Sequence, residues 1–183
     1  MTDSSVGYQK YIKRLHSGNP DIVIEAAHAL GDSGDRRSVP VLIQILQTTS
    51  DPAIRDAAAI GLRELGDERA LYPLVSLIMD PKTGGHRGTL IYALEEFDCS
   101  PFLDFLLDLV ITGNFEVSHQ AFLVIESIEV KVDAETIDLC LQKAQHALLH
   151  ANEEKAELLR DLVDLLNKMK LRSYSGGKRG QPA

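Results

Sequence analysis

Tryptophan is absent, and five Tyr and five Phe are all the aromatic residues in a chain of 183. An interior with so few rings must be filled by Leu, Ile, Val and Ala, a set that suits helices better than strands. No apolar run approaches the roughly 20 residues that span a bilayer. The opening MTDSSVGYQKYIKRL also lacks the apolar segment of a secretory signal. A cytoplasmic protein without membrane contact is therefore expected. Cysteine is scarce too. Cys99 and Cys140 lie far apart and outside any metal-ligand spacing, so buried thiols are expected, with a disulfide as the alternative.

The common chemical signatures are missing. The chain has no Gly-x-Gly-x-x-Gly, no phosphate loop, no Gly-x-Ser-x-Gly and no Cys-x-x-Cys. Gly84-Gly85 precedes a helical pattern, but two glycines make a connection rather than a phosphate site. His146 and His150 stand one helical turn apart, and Glu154 follows on the same side. With Leu141, Ala144 and Leu148 turned inward, both histidines point to water, and the reading adopted is a polar outer face. No cofactor and no metal are expected. A net charge of −8 argues against a surface built to neutralise phosphates, so no nucleic-acid partner is expected either.

One further absence is local. Between Gly88 and Val130 there is no Lys or Arg, while Glu95, Glu96, Asp98, Asp104, Asp108, Glu116, Glu126 and Glu129 all fall there. The charge of this stretch equals that of the whole chain, so the remainder is neutral in sum.

What is present is a repeat. NPDIVIEAAHALGDSGDRRSVPVLIQIL from Asn19 aligns without a gap on DPAIRDAAAIGLRELGDERALYPLVSLI from Asp51, 32 residues later. Pro20 meets Pro52, Leu30 meets Leu62, Gly34-Asp35 meets Gly66-Asp67, and Leu42 meets Leu74. A third copy follows at the same interval, with Arg87 on Arg55, Leu94 on Leu62 and Leu106 on Leu74. A period of this size marks a stack of supersecondary units. Each unit reads as two helices: Asn/Asp-Pro opens the first, Gly-Asp ends it, and an apolar second helix follows, expected to be nearly engulfed. Small residues at one equivalent position, Ala29, Gly61 and Ala93, are expected to let neighbouring first helices approach.

The units are placed at about 19–50, 51–82, 83–114 and 115–151. A helix from about Val6 to His16 covers one end, and an amphipathic helix from Glu153 to Leu171 caps the other, within 152–172. The tail 173–183 (SYSGGKRGQPA) is expected to be disordered. The expectation is thus one all-α domain over 1–172, a short right-handed α-solenoid of about four helical hairpins.

These residues resemble a known family. The Asp-Pro-x-x-Arg-x-x-Ala-Ala start at Asp51, the Gly-Asp turn and the Ala-Leu-x-x-Leu of Ala70 to Leu74 look like HEAT-like repeats of the phycobilisome-lyase type, within the armadillo-like superfamily. The likeness covers 19–81 most closely and extends to about 114. It implies the right-handed solenoid, with second helices lining a concave surface, and it implies no reaction. HEAT-repeat hydroxylases bind iron through repeated His-Glu pairs, and none of the six histidines here precedes Glu. Bilin lyases of this repeat type would need an apolar groove, to which Tyr72, Tyr92, Phe102 and Phe105 could contribute.

The register places the acids. Pro40, Tyr72 and Asp104 are equivalent, as are Gln44, Ser76 and Asp108, and all are left facing outward once Leu42, Leu74 and Leu106 turn in. The candidate partner-binding residues are Tyr72, Ser76, Asp104, Phe105, Asp108, Glu135 and Asp138, with Phe102 and Phe115 as flanking anchors. Arg36, Arg37 and Arg69 begin the second helices of the early units, so the groove is expected to run from basic to acidic. A solvated face would explain the acids, as would a docking site for a partner with a basic surface. The functional expectation is a non-catalytic protein-binding module, in its sharpest form an immunity or inhibitor protein against a toxin such as a nuclease. An adaptor or assembly chaperone, and a bilin lyase or lyase subunit, are the alternatives.

Overall fold

The Asn/Asp-Pro openings act as helix caps in the computed structural model, which describes residues 3–175. Asn19 Oδ1 accepts the Asp21 N–H at 3.0 Å, and Asp51 Oδ1 accepts that of Ala53 at 2.9 Å. Each satisfies a donor that the first turn leaves free, and Pro20 and Pro52 sit where the missing N–H costs nothing. The described residues form ten α-helices, and short 3₁₀ turns stand in some of the connections between Asp32 and Leu103. The chain divides between Phe97 and Asp98 into two compact units, a boundary that falls inside the third expected repeat.

The first unit holds α1 (Asp3–Leu15), α2 (Pro20–Asp32), α3 (Val39–Thr48), α4 (Pro52–Leu65), α5 (Leu71–Met79) and α6 (Gly88–Tyr92). Its stacking is that of a repeat array: α2 lies on α4, α1 covers α2, and α3 packs on α4 and α5. Ala26, Leu30, Leu42, Ala58, Leu62 and Leu74 are wholly buried, as the register requires. Gly34 and Gly66 turn the chain with φ of 65° and 53°, a left-handed conformation open to glycine without strain.

The closest approach is backbone to backbone. A Cβ on Gly31 would stand 2.6 Å from Gly61 Cα, and one on Gly61 would stand 2.8 Å from Ala27 O. Gly61 was expected at such a contact, but its opposite is Gly31 rather than Ala29, which is only half-buried. α5 is also less enclosed than expected, since Tyr72, Ser76 and Met79 are exposed on one side of it. α6 has five residues and passes into a 3₁₀ turn, Ala93–Glu96. Gly84 and Gly85 lie where the earlier copies start a long helix.

The Gly-Asp turns carry a second device. Asp35 accepts from Arg37 Nε at 2.9 Å and from Nη2 at 2.5 Å, and Asp67 accepts from Arg69 at 2.7 and 2.9 Å. Arg37 lies 4.6 Å from the Tyr8 ring centroid, and Arg69 donates to the Arg36 carbonyl at 3.4 Å. Each fork therefore also touches the preceding element. The Arg69 hydrogen bonds outweigh burial and hold the Asp67 carboxyl down at about 2. A folded pKa below the unfolded 3.8 stabilises fully above that value, and the stabilisation is lost as pH falls towards 2. Asp67→Asn keeps an oxygen for the backbone cap but loses the charge. Thermal melts should show it less stable than wild type near neutrality, the gap closing between about pH 4 and pH 2.

The second unit holds α7 (Leu103–Thr112), α8 (Phe115–Glu126), α9 (Ala134–Leu148) and α10 (Glu153–Ser175). α7 pairs with α8 and α9, and α10 lies along α9. Asn114 and Asp133 cap α8 and α9, accepting from Val117 N–H at 2.9 Å and Thr136 N–H at 2.8 Å. α10 buries Leu158, Leu162, Leu166 and Met169. It continues through Ser175, so the first residues of the expected tail are helical, and 176–183 lie outside the described residues.

Candidate functional site

α7 buries Leu103, Leu106, Leu107 and Val110, and the opposite side presents Asp104 and Asp108 one turn apart. Their side chains are 67% and 50% exposed. The two do share a wall, but the wall is not uncompensated. Lys143 on α9 places Nζ 2.8 Å from Asp104 Oδ1 and 2.7 Å from Asp108 Oδ1. Burial works against the Lys143 ammonium, and its bonds to both carboxylates outweigh that, so its pKa is raised. Asp138 pairs with Lys170 of α10, while Glu135 is exposed in the first turn of α9. In the first unit, Arg63 lies 3.7 Å from Glu95. The acid-only stretch thus takes cations from outside itself. The expectation of an uncompensated surface is corrected, because charge counted along the chain does not register helices that meet across it.

Asp104, Asp108 and the half-buried Phe105 lie on α7, and Glu135 and Asp138 on α9, where Asp138 meets Lys170 of α10 rather than Lys143. Tyr72 and Ser76 are exposed on α5 of the other unit. Phe102 is half-buried and Phe115 is 64% exposed. Lys143 is the residue that sequence reasoning missed. Nothing marked it except its place on the exposed side of an amphipathic helix. Surface ion pairs contribute about 0–1 kcal/mol each, so the cluster sets charge geometry more than it holds the fold. Two carboxylates around one ammonium still leave an excess negative charge.

Both thiols, Cys99 and Cys140, are buried. Burial first, then the charges of Asp104, Asp108 and Asp133, push the Cys140 thiol up to about 11, with Lys143 opposing. In the native chain Cys140 should react with a disulfide reagent at least about 100-fold more slowly than in denaturant at slightly alkaline pH. Thiol titration before and after unfolding checks this. His146 and His150 are exposed, their ring centroids 5.2 Å apart. Among the described residues no group of three or more His, Cys, Asp or Glu is placed to hold a metal. No described helix is long and apolar enough to cross a membrane.

Stacked helical pairs, capped turns and glycine contacts define a repeat class, and residues 8–95 match the family model for HEAT repeats. These residues are HEAT repeats, and the described residues of the chain form helices without strands. Among curated proteins the chain is similar to the bilin biosynthesis protein PecE of Mastigocladus laminosus, 38% identical over 65 residues. That match covers 36% of this chain and 24% of the relative. PecE of Nostoc sp. (strain PCC 7120) is 37% identical over 65 residues, 36% of this chain and 26% of the relative. The chain thus spans about a quarter of the length of these relatives.

Proposed function

We propose that the protein is a non-catalytic protein-binding module whose α7–α9 face receives a partner with a basic surface. The carrying observation is the pair Asp104 and Asp108, exposed together and sharing one lysine. Lys143 occupies the site that a partner's cation would compete for. The packing of α7 on α8 and α9 supports this reading, because helices held in contact have little conformational freedom to lose on binding. An immunity or inhibitor protein against a basic toxin such as a nuclease is the sharpest form of it, and an adaptor or assembly chaperone uses the same face.

The test is affinity capture from the native host, followed by mass spectrometry, with three baits. Wild type should recover basic proteins in a salt-sensitive way, Asp104→Lys with Asp108→Lys should lose them, and Lys143→Met should retain them to higher salt. An identical set of proteins on all three baits rejects the reading. The identity of a salt-sensitive partner then separates a toxin from an assembly client.

A second reading, a subunit of a bilin lyase, rests on the similarity to PecE alone. The buried thiols favour a version in which pigment is held rather than attached to this chain. Mixing the purified protein with a bilin should then shift the pigment's absorbance. A spectrum unchanged with and without an acceptor protein removes this reading.

A further inference from the structure

A second surface of the C-terminal unit lies away from Asp104 and Asp108. α8 and α10 border two adjoining clefts, of about 230 and 440 Å³, which share Phe115, His119, Glu154 and Leu158 in their walls. The apolar side is exposed: Phe115 is 64% and Leu123 45% accessible, with Phe122 half-buried between them. His119 stacks on Phe115 with centroids 4.0 Å apart, and its Nδ1 lies 2.8 Å from the Phe115 carbonyl, which fixes the ring against the wall. The opposite rim is acidic. Glu154, Glu157 and Asp161 follow one another along α10 at helical spacing, all exposed. Glu154 has Lys155 beside it, whereas Glu157 and Asp161 enter no ion pair among the described residues.

From these observations we infer that the α8–α10 groove is a docking site for an amphipathic helix from another protein, apolar on one face and flanked by Lys or Arg. Two helices with an open furrow between them accept a third helix, whose residues at i, i+3/i+4 and i+7 meet the apolar wall. The rim from Glu154 to Asp161 is about 10 Å long, two helical turns, which matches such a set of anchors. The unpaired carboxylates choose the sign of the flanking charges. This site uses none of Asp104, Asp108 and Lys143, so either proposal can fail alone.

Panning a displayed library of random peptides of about 14 residues, four helical turns, against the full chain tests the inference. Enriched peptides should carry Leu, Ile or Phe at helical spacing with adjacent Lys or Arg. Their affinity should fall about tenfold or more with Leu123→Asp, and likewise with Glu157→Lys plus Asp161→Lys. Asp104→Lys with Asp108→Lys should leave it unchanged. Both groove variants alter exposed side chains, and unchanged circular-dichroism melts confirm their fold. Failure to enrich that pattern, or equal binding by the groove variants, overturns the inference. So does dimerisation in sedimentation equilibrium that the same variants abolish, because the occupant would then be a second copy of this chain.

Discussion

Gly31→Ala should lower the melting temperature of the protein by roughly 5–20 °C, the equivalent of about 1–3 kcal/mol in a unit of this size. Helix propensity alone predicts the reverse, since alanine is better than glycine in a helix by about 0.8–1.0 kcal/mol. Packing decides the sign. The added methyl would stand 2.6 Å from Gly61 Cα and 2.9 Å from its carbonyl oxygen. No rotamer change relieves a clash with backbone, so α2 and α4 must separate and loosen the contact around Leu30, Leu42 and Leu62. Gly7→Ala is the control, because a Cβ there meets nothing within 4 Å. Thermal denaturation of the two variants checks the claim, and a stabilised Gly31→Ala would show that the helices are not in contact at this point.

Lys155→Met should destabilise the C-terminal unit by about 1–3 kcal/mol. Lys155 Nζ donates to the Val110 carbonyl at 2.9 Å, the Gly113 carbonyl at 3.0 Å and Ser118 Oγ at 2.5 Å. It thereby closes the end of α7, where the last carbonyls have no helical partner, and its charge meets the negative end of the helix. Burial lowers its pKa, so the ammonium is held by three acceptors at some desolvation cost. Methionine keeps the length of the stem and strands the acceptors. Amide exchange should accelerate first at the end of α7 and the start of α8. Equal exchange in both proteins would mean that water satisfies these groups without the lysine.

The first unit was readable because its period is explicit. Asn19, Asp51, Gly34 and Gly66 perform the capping and turning that their positions announce, and Leu42, Leu74 and Leu106 face inward as the register requires. The partner of Gly61 was not readable from the repeat column. Stacked copies touch through opposite faces, so equivalent positions cannot meet each other, and Gly31 is equivalent to Arg63. The outward direction of Asp104 and Asp108 also followed from the register. Their compensation did not, because Lys143 is 39 residues from Asp104 and belongs to a copy too diverged to align. The furrow between α8 and α10 depends on how far two helices diverge, which periodicity does not encode.

The proposed function requires that Asp104 and Asp108 form one cation-receiving site that Lys143 fills in the free protein. Titrating the ¹³C,¹⁵N-labelled full chain with octa-lysine, while following side-chain carboxyl and Lys143 Nζ resonances, tests this requirement. The Asp104, Asp108 and Lys143 signals should move together, saturably and before other carboxylates, and added salt should reverse the change. Signals of these three that stay fixed while carboxylates elsewhere respond would contradict it.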